Sequence, residues 1–136
     1  MRLWHKDLIP VLPRQQLLGQ WRECCLIARE ISENGTPNHL LVNKIMDYPL
    51  THFSFYAYWV YYEMKKRGYK CDEKKFVIAD FNAVDSCNYS GFLFYGWHNN
   101  RYLKQCLYNL QEKYDCGGIP EEEWQKIVEV YGGEWR

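Results

Sequence analysis

The chain has 136 residues and a mass of 16.5 kDa, a length that accommodates one domain but not two. Hydrophobic residues make up 47% and charged residues 25%, which excludes a disordered, collagen-like or mucin-like chain. The formal net charge is zero, from 17 Lys and Arg against 17 Asp and Glu, and this balance argues against an indiscriminate polyanion binder.

Helical signals dominate the first part of the chain. A helix is predicted over residues 13–33, because Pro13 suits the first helical position and Asn34-Gly35 is a stop signal. Thr36-Pro37 is a second helix start. This second predicted helix carries the apolar residues Leu40, Leu41, Ile45 and Met46.

A third, aromatic helix is predicted over residues 52–67, starting at Pro49 or Thr51 and stopped by Gly68 after a basic last turn. Residues 76–96 have the least regular pattern, with 76–78 as the one candidate for extended backbone. The residues in that stretch that favour a loop are Asp85, Asn88, Ser90 and Gly91.

Two further helices complete the predicted fold. Asn99 or Asn100 can cap a fourth helix, which ends at Cys116-Gly117-Gly118. Pro120 opens a fifth, where three glutamates suit the helix N-terminus, and Gly132-Gly133 ends it. The sequence therefore predicts a compact all-α fold of four to five helices, with residues 1–136 as a single domain.

Charge is distributed unevenly along the chain. Residues 1–70 contain ten Lys or Arg against six Asp or Glu, a balance of 10 − 6 = +4, so the remainder carries −4. This polarity fits either a basic face for nucleic acid or two solvated faces of unequal sign. The chain has no apolar run of membrane-spanning length and a charged start, so we expect a soluble, cytoplasmic protein without membrane contact.

The six cysteines and four histidines give no sign of a metal site or a disulfide framework. The cysteines form no CxxC pair, and no two histidines are four residues apart. We therefore expect reduced thiols, no metal and no cofactor. A cysteine-dependent redox or metal protein is the weakest of three functional hypotheses, since it depends on the number of thiols alone.

The first predicted helix has two distinct faces. At 100° per residue, one arc is apolar and is the expected core face; it contains Leu17, Leu18, Trp21, Cys24, Cys25 and Ala28. Glu23 lies opposite, with Gln16, Gly19, Gln20 and Leu26 as its neighbours. Gly19 is costly inside a helix, which indicates either that another segment packs closely there or that open space is needed near Glu23.

The run from Leu17 to Glu23, preceded by Arg14-Gln15-Gln16, resembles the pyrimidine-dimer DNA glycosylase/AP lyase family of the phage endonuclease V type. With the opening Met1 to His5, it is most similar to the bacterial branch. The likeness is looser in the later segments 52–55, 66–69 and 97–103. It spans most of the chain, and only the N-terminal block is specific.

The resemblance implies that the nucleophile is the α-amino group of Met1. An α-amine in a peptide titrates at about 7.7–8.0, against about 10.4 for lysine, so it has an appreciable neutral and nucleophilic fraction near pH 7. In this family the amine attacks C1′ of the damaged nucleotide and forms a Schiff base with the opened sugar. Glu23 matches the catalytic glutamate, which assists β-elimination.

The resemblance also implies that damaged double-stranded DNA is the partner of this protein, which is expected to act as a monomer. Arg2 and Arg22 match arginines that bind phosphate or the lesion. Weaker candidates for phosphate contacts are Lys6, Arg14, Arg29, Arg101 and Lys104. Accessory roles are open for Gly19, His52 and His98, and a buried, hydrogen-bonded histidine is the ordinary alternative for the last two.

A second hypothesis is a non-catalytic helical module that binds nucleic acid or protein and keeps the family fold. Leu26, which stands where the family has another arginine, and the zero net charge favour this module. The retained Gly19 and Arg22-Glu23 favour the enzyme.

Overall fold

The protein is all-helical, as the computed structural model shows for residues 1–81 and 93–132. Its α-helices in that part of the chain are α1 (Arg14–Asn34), α2 (Leu50–Lys66), α3 (Asn100–Asp115) and α4 (Glu121–Tyr131). Short 3-10 helices cover Lys6–Val11, Asn43–Asp47 and Glu73–Lys75, and the two described ranges contain no strand. The predicted all-α fold class is confirmed. None of the described helices is long and apolar enough to cross a membrane.

The ends predicted for α1, α2, α3 and α4 are confirmed to within about two residues, because each depends on local chemistry. α1 ends at Gly35, which has a φ of 77° and donates its N–H to the carbonyl of Ile31 at 2.8 Å. α3 is capped by Asn99, whose side chain accepts the N–H of Tyr102 at 2.9 Å. α4 follows directly on Pro120.

The helix predicted from Thr36-Pro37 is wrong. Residues 36–39 have no regular structure, residues 40–42 form a turn, and only the 3-10 helix Asn43–Asp47 follows them. Asn38 has a φ of 54°, in the left-handed region, which breaks any continuous helix. Val42 and Ile45 are fully buried, whereas Leu40, Leu41 and Met46 are exposed.

The stretch of residues 76–96, predicted to be irregular, contains no strand in its described part. Residues 76–78 turn after Glu73–Lys75 and do not form a strand, although the backbone of Phe76 itself is extended. The predicted loop residues Asp85, Asn88, Ser90 and Gly91 lie outside the described residues.

The core face of α1 is wider than the sequence indicates. Most of the predicted arc is buried, while Leu18 is only half-buried. Ile27 is buried as well, and so is Gln20, whose assignment to the face of Glu23 is therefore wrong. The reason is tertiary, because the N-terminal segment, residues 1–12, passes Gln20, and its residues Arg2 and Trp4 hydrogen-bond with the Gln20 side chain.

Arg67, at the end of α2, holds this N-terminal segment from its far side. Its guanidinium donates to the carbonyls of Leu12 at 2.8 Å and Pro10 at 3.1 Å, and its Nε donates to Glu63 at 3.1 Å. The hydroxyl of Tyr131 donates to the carbonyl of Asp7 at 2.7 Å. The first twelve residues are therefore a fixed part of the fold.

Candidate active site at the start of the chain

Gln20 holds the first residues of the chain on α1. Its Nε2 donates to the carbonyl of Arg2 at 3.1 Å, and its Oε1 accepts the N–H of Trp4 at 2.8 Å. The Tyr56 hydroxyl lies 3.0 Å from the same oxygen and donates to the carbonyl of Trp4 at 2.6 Å. These bonds are buried or partly buried, so they fix the backbone of residues 2–4 beside the turn of α1 that precedes Glu23.

The start of the chain lies next to the Glu23 carboxylate. The backbone N–H of Arg2 donates to Oε2 of Glu23 at 3.4 Å. One residue spans at most about 3.6 Å, so the nitrogen of Met1 lies within about 7 Å of that oxygen. Met1 and Glu23 are both partly exposed. Met1 and Glu23 are therefore neighbours, and solvent reaches a part of each residue.

Arg2 and Arg22 frame this pair of residues with positive charge. The Arg2 guanidinium lies over the ring of Trp4, 5.4 Å from its centroid. Arg22 is exposed, and its guanidinium is 3.8 Å from the position that a Cβ on Gly19 would occupy. Within the described chain, no other side chain or neighbouring segment comes within 4 Å of that position. Gly19 thus leaves open space one turn before Glu23, and the alternative of close packing against another segment is not supported.

The other predicted cations of the N-terminal half lie away from Glu23 or already have partners. Arg14 is nine residues earlier on α1, about 13 Å along the axis, and its guanidinium covers the ring of Tyr69 at 5.3 Å. Arg29 is exposed six residues after Glu23, about 9 Å along the axis. The Nζ of Lys6 is paired with Asp7 at 3.3 Å.

A cleft of about 800 Å³ is lined by Arg2, by residues of α3 and by the turn that carries Leu40. Arg2, Lys44 and Arg101 line it, and none of its described lining residues is an Asp or Glu. Trp97 and Tyr102 are among the aromatic residues in the same wall. This cleft is continuous with the start of the chain through Arg2, and its charge suits an anionic ligand. Lys104 is exposed nearby in sequence on α3 but does not line the cleft.

The two candidate accessory histidines are buried and hydrogen-bonded. Nδ1 of His52 accepts the N–H of Phe94 at 3.1 Å. Nδ1 of His98 accepts the N–H of Lys6 at 2.9 Å, and its ring stacks on His5 with centroids 5.1 Å apart. His98 thereby helps to hold the N-terminal segment. Both positions agree with the ordinary structural alternative.

Burial makes His98 a source of acid sensitivity. Desolvation, together with the nearby charges of His5 and Lys6, lowers its pKa to about 2. The unfolded chain takes up this proton near pH 6.5 and the folded chain does not, so the stabilising contribution is present above pH 6.5 and is lost as the pH falls. Desolvation lowers the pKa values of His5 and His52 as well.

We expect His98→Asn to flatten the dependence of stability on pH. Asn retains an acceptor for the Lys6 N–H but does not titrate, so between pH 7 and 5 the variant should lose about 2 kcal/mol less unfolding free energy than the parent protein. Urea unfolding at both pH values measures this difference. A variant that is destabilised equally at both pH values, with an unchanged slope, would contradict the assignment.

Three residues of the site were missed by sequence reasoning. Gln20 was assigned to the outer face, and Tyr56 and Lys44 were not considered. Only the burial pattern of the folded chain distinguishes Tyr56 from the other tyrosines of α2, and no local motif marks Gln20 as an anchor. Among the described residues, no group of three or more His, Cys, Asp or Glu is arranged to hold a metal ion.

Comparison with known families identifies the family of this chain. A sequence model of the pyrimidine dimer DNA glycosylase family matches residues 1–77, which is 77 of 136 residues and includes α1 and α2. The chain therefore belongs to the pyrimidine dimer DNA glycosylase family, which confirms the family resemblance and implies a DNA substrate. Neither the curated proteins nor the solved structures contain a match to this chain. The narrower likeness to the bacterial branch stays a prediction.

Proposed function

We propose that this protein is a DNA repair glycosylase with AP lyase activity, acting on pyrimidine dimers or abasic sites with the α-amino group of Met1 as its nucleophile. The observation that carries the proposal is the 3.4 Å contact from the N–H of Arg2 to the Glu23 carboxylate. It limits the distance from the preceding nitrogen to this carboxylate to about 7 Å, and both residues are partly exposed. Covalent catalysis by an amine needs this combination of access and a neighbouring acid–base group.

The reaction proceeds in two stages. The amine nitrogen bonds to C1′, the bond from C1′ to the base breaks with its electron pair on the base, and the base takes up a proton. Opening of the sugar ring leaves an iminium between the Met1 nitrogen and C1′. Loss of a proton from C2′ then expels the 3′ phosphate by β-elimination and breaks the strand, and water releases the sugar from the amine.

Glu23 serves both stages in this proposal. Its negative charge stabilises the cationic sugar intermediates, and its oxygens move protons during ring opening and β-elimination. Arg2 and Arg22 bind the phosphates that flank the reacting sugar. The open space at Gly19 admits that strand to the surface between Arg22 and Glu23.

Access to C1′ requires that a nucleotide leave the base stack, because the sugar carbon of a paired duplex is shielded. Bending of the DNA and contacts of Lys and Arg with its phosphates accompany that step. Arg101 in the cleft is the strongest further candidate for such a contact. Arg14, Arg29 and Lys6 are peripheral candidates, on the grounds of their distance or their existing partners.

We propose that residues 1–136 act as one domain, as a monomer, on DNA in the cytoplasm. The packing of α3 and α4 on the start of the chain supports a single unit. Tyr102 of α3 donates to the carbonyl of Leu3, and Tyr131 of α4 donates to that of Asp7. The helices beyond the matched residues 1–77 thus help to position the segment that carries the nucleophile.

Borohydride trapping tests the proposed chemistry. Reduction during incubation with a duplex that contains a pyrimidine dimer or an abasic site should give a covalent protein–DNA adduct, and peptide mass spectrometry should locate it at the Met1 nitrogen. Undamaged duplex of the same sequence is the control. An intact abasic strand after incubation, or an adduct on a lysine, would refute the proposed nucleophile.

A further inference from the structure

We propose that Leu40 is an apolar wedge that enters the base stack of the duplex beside the damaged nucleotide. The proposal rests on the proposed function and adds a residue that separates bases and takes no part in the chemistry. Leu40 is 86% exposed, more than any other large hydrophobic side chain among the described residues. Leu, Phe, Ile, Met and Pro are the side chains that DNA-bending proteins insert between base steps.

The backbone that carries Leu40 is braced, as a wedge requires. The carbonyl of His39 accepts the N–H groups of Val42 at 3.1 Å and Asn43 at 2.8 Å. The Asn43 side chain in turn accepts the N–H of His39 at 2.9 Å, and Val42 is fully buried. The turn is therefore closed by three hydrogen bonds and anchored in the core, while Leu40 projects from its tip.

The charges beside Leu40 identify a polyanion as the ligand. Leu40 and Leu41 line the same cleft as Arg2, Lys44 and Arg101, and none of its described lining residues is an Asp or Glu. When these cations bind the phosphates of a DNA strand, the bases of that strand come close to the part of the cleft wall that contains Leu40. Leu41 and Tyr108 are further exposed apolar residues of this cleft, but an apolar protein surface bound there would leave the three cations without counter-charges. Nucleic acid suits both parts of the cleft, since its phosphates pair with the cations and its bases pack against the apolar side chains.

The position of the cleft links the wedge to the reacting sugar. Arg2 lines the same cleft as Leu40, and its backbone N–H contacts Glu23. A base step opened by Leu40 therefore belongs to the same bound DNA whose sugar meets the start of the chain. Filling the gap in the stack with a leucine side chain stabilises the opened duplex.

The role of the wedge can be distinguished from the chemical step by measuring strand cleavage at the same abasic site in a duplex and in a single strand. We expect Leu40→Ala to lower the cleavage rate of the duplex at subsaturating enzyme about ten- to fiftyfold. Cleavage of the single strand should not change, because no stack has to be opened. Leu40→Met should retain the duplex rate, since Met also serves as a wedge. Val130→Ala, which shortens another exposed aliphatic residue, is the matched control.

The outcomes distinguish the wedge from the proposed function. If Leu40→Ala cleaves both substrates at the rate of the parent protein, the wedge is overturned, and the exposed Leu40 is then better explained by a protein partner. If the variant loses the same factor on the duplex and on the single strand, the wedge is overturned as well.

If the parent protein cleaves neither substrate, the proposed lyase activity fails. The wedge is then tested with the fluorescent base 2-aminopurine, placed beside the abasic site of the duplex. Binding of the parent should then raise its fluorescence and binding of Leu40→Ala should not; equal signals overturn the wedge.

Discussion

Extending the chain by two residues ahead of Met1 is expected to reduce strand cleavage at an abasic site by at least about a thousandfold. The extension converts the Met1 amine into an amide, which is not nucleophilic. It also moves the new amine by up to about 7 Å, which equals the greatest distance that can separate the Met1 nitrogen from the Glu23 carboxylate. Product formation on a labelled abasic duplex measures the loss, and borohydride should trap no adduct.

A cleavable fusion provides the control for this experiment. A protease that cuts directly before Met1 should restore cleavage in the same preparation, which excludes misfolding as the cause of the loss. Binding to a duplex with an uncleavable abasic analogue should change by no more than a few-fold. If the blocked protein still cleaves, Met1 is not the nucleophile; if neither form cleaves but both bind, the non-catalytic module is the better description.

Glu23→Gln is the second change with a large expected effect, a loss of about 10²- to 10⁴-fold in the rate of base release and strand cleavage. Gln has the same shape and retains an oxygen that accepts the Arg2 N–H, so the start of the chain stays in place. The variant lacks the negative charge and the proton acceptor. Glu23 is partly exposed, so we expect the unfolding free energy to change by about 0.5 kcal/mol or less.

Glu33→Gln is the matched control, because it makes the same chemical change at an exposed position of the same helix. It should leave both rates unchanged. Single-turnover rates at saturating enzyme separate the chemical step from DNA binding, which Glu23→Gln should largely retain. A Glu23→Gln rate within threefold of the parent would remove Glu23 from the reaction.

The helices could be predicted from the sequence where their ends depend on one residue. Gly35 adopts a left-handed backbone, Asn99 caps α3 with its own side chain, and Pro120 fixes the entry to α4. Each signal acts within a few residues. The position of Glu23 outside the apolar arc of α1 was predictable for the same reason, because the helical period alone determines it.

Tertiary contacts decided the parts that were predicted wrongly. Thr36-Pro37 is a legitimate helix start, but burial of Val42 and Ile45 and the left-handed Asn38 impose turns instead. The polarity of Gln20 indicates exposure until residues 1–4 cover it and supply its partners. The cleft is likewise invisible in the sequence, since it joins Arg2, Lys44 and Arg101 from distant positions.

The hydrogen bonds from Arg67 to the N-terminal segment lower the entropy that this segment would otherwise retain in the folded protein. Chain ends ordinarily fray, and a nucleophile on a fraying end must be ordered again at each encounter with its substrate. Here the guanidinium of Arg67, directly after α2, binds the backbone near residues 10–12, and Gln20 binds residues 2–4. The entropy of ordering the backbone beside the proposed nucleophile is therefore lost once, during folding, and not again when DNA binds.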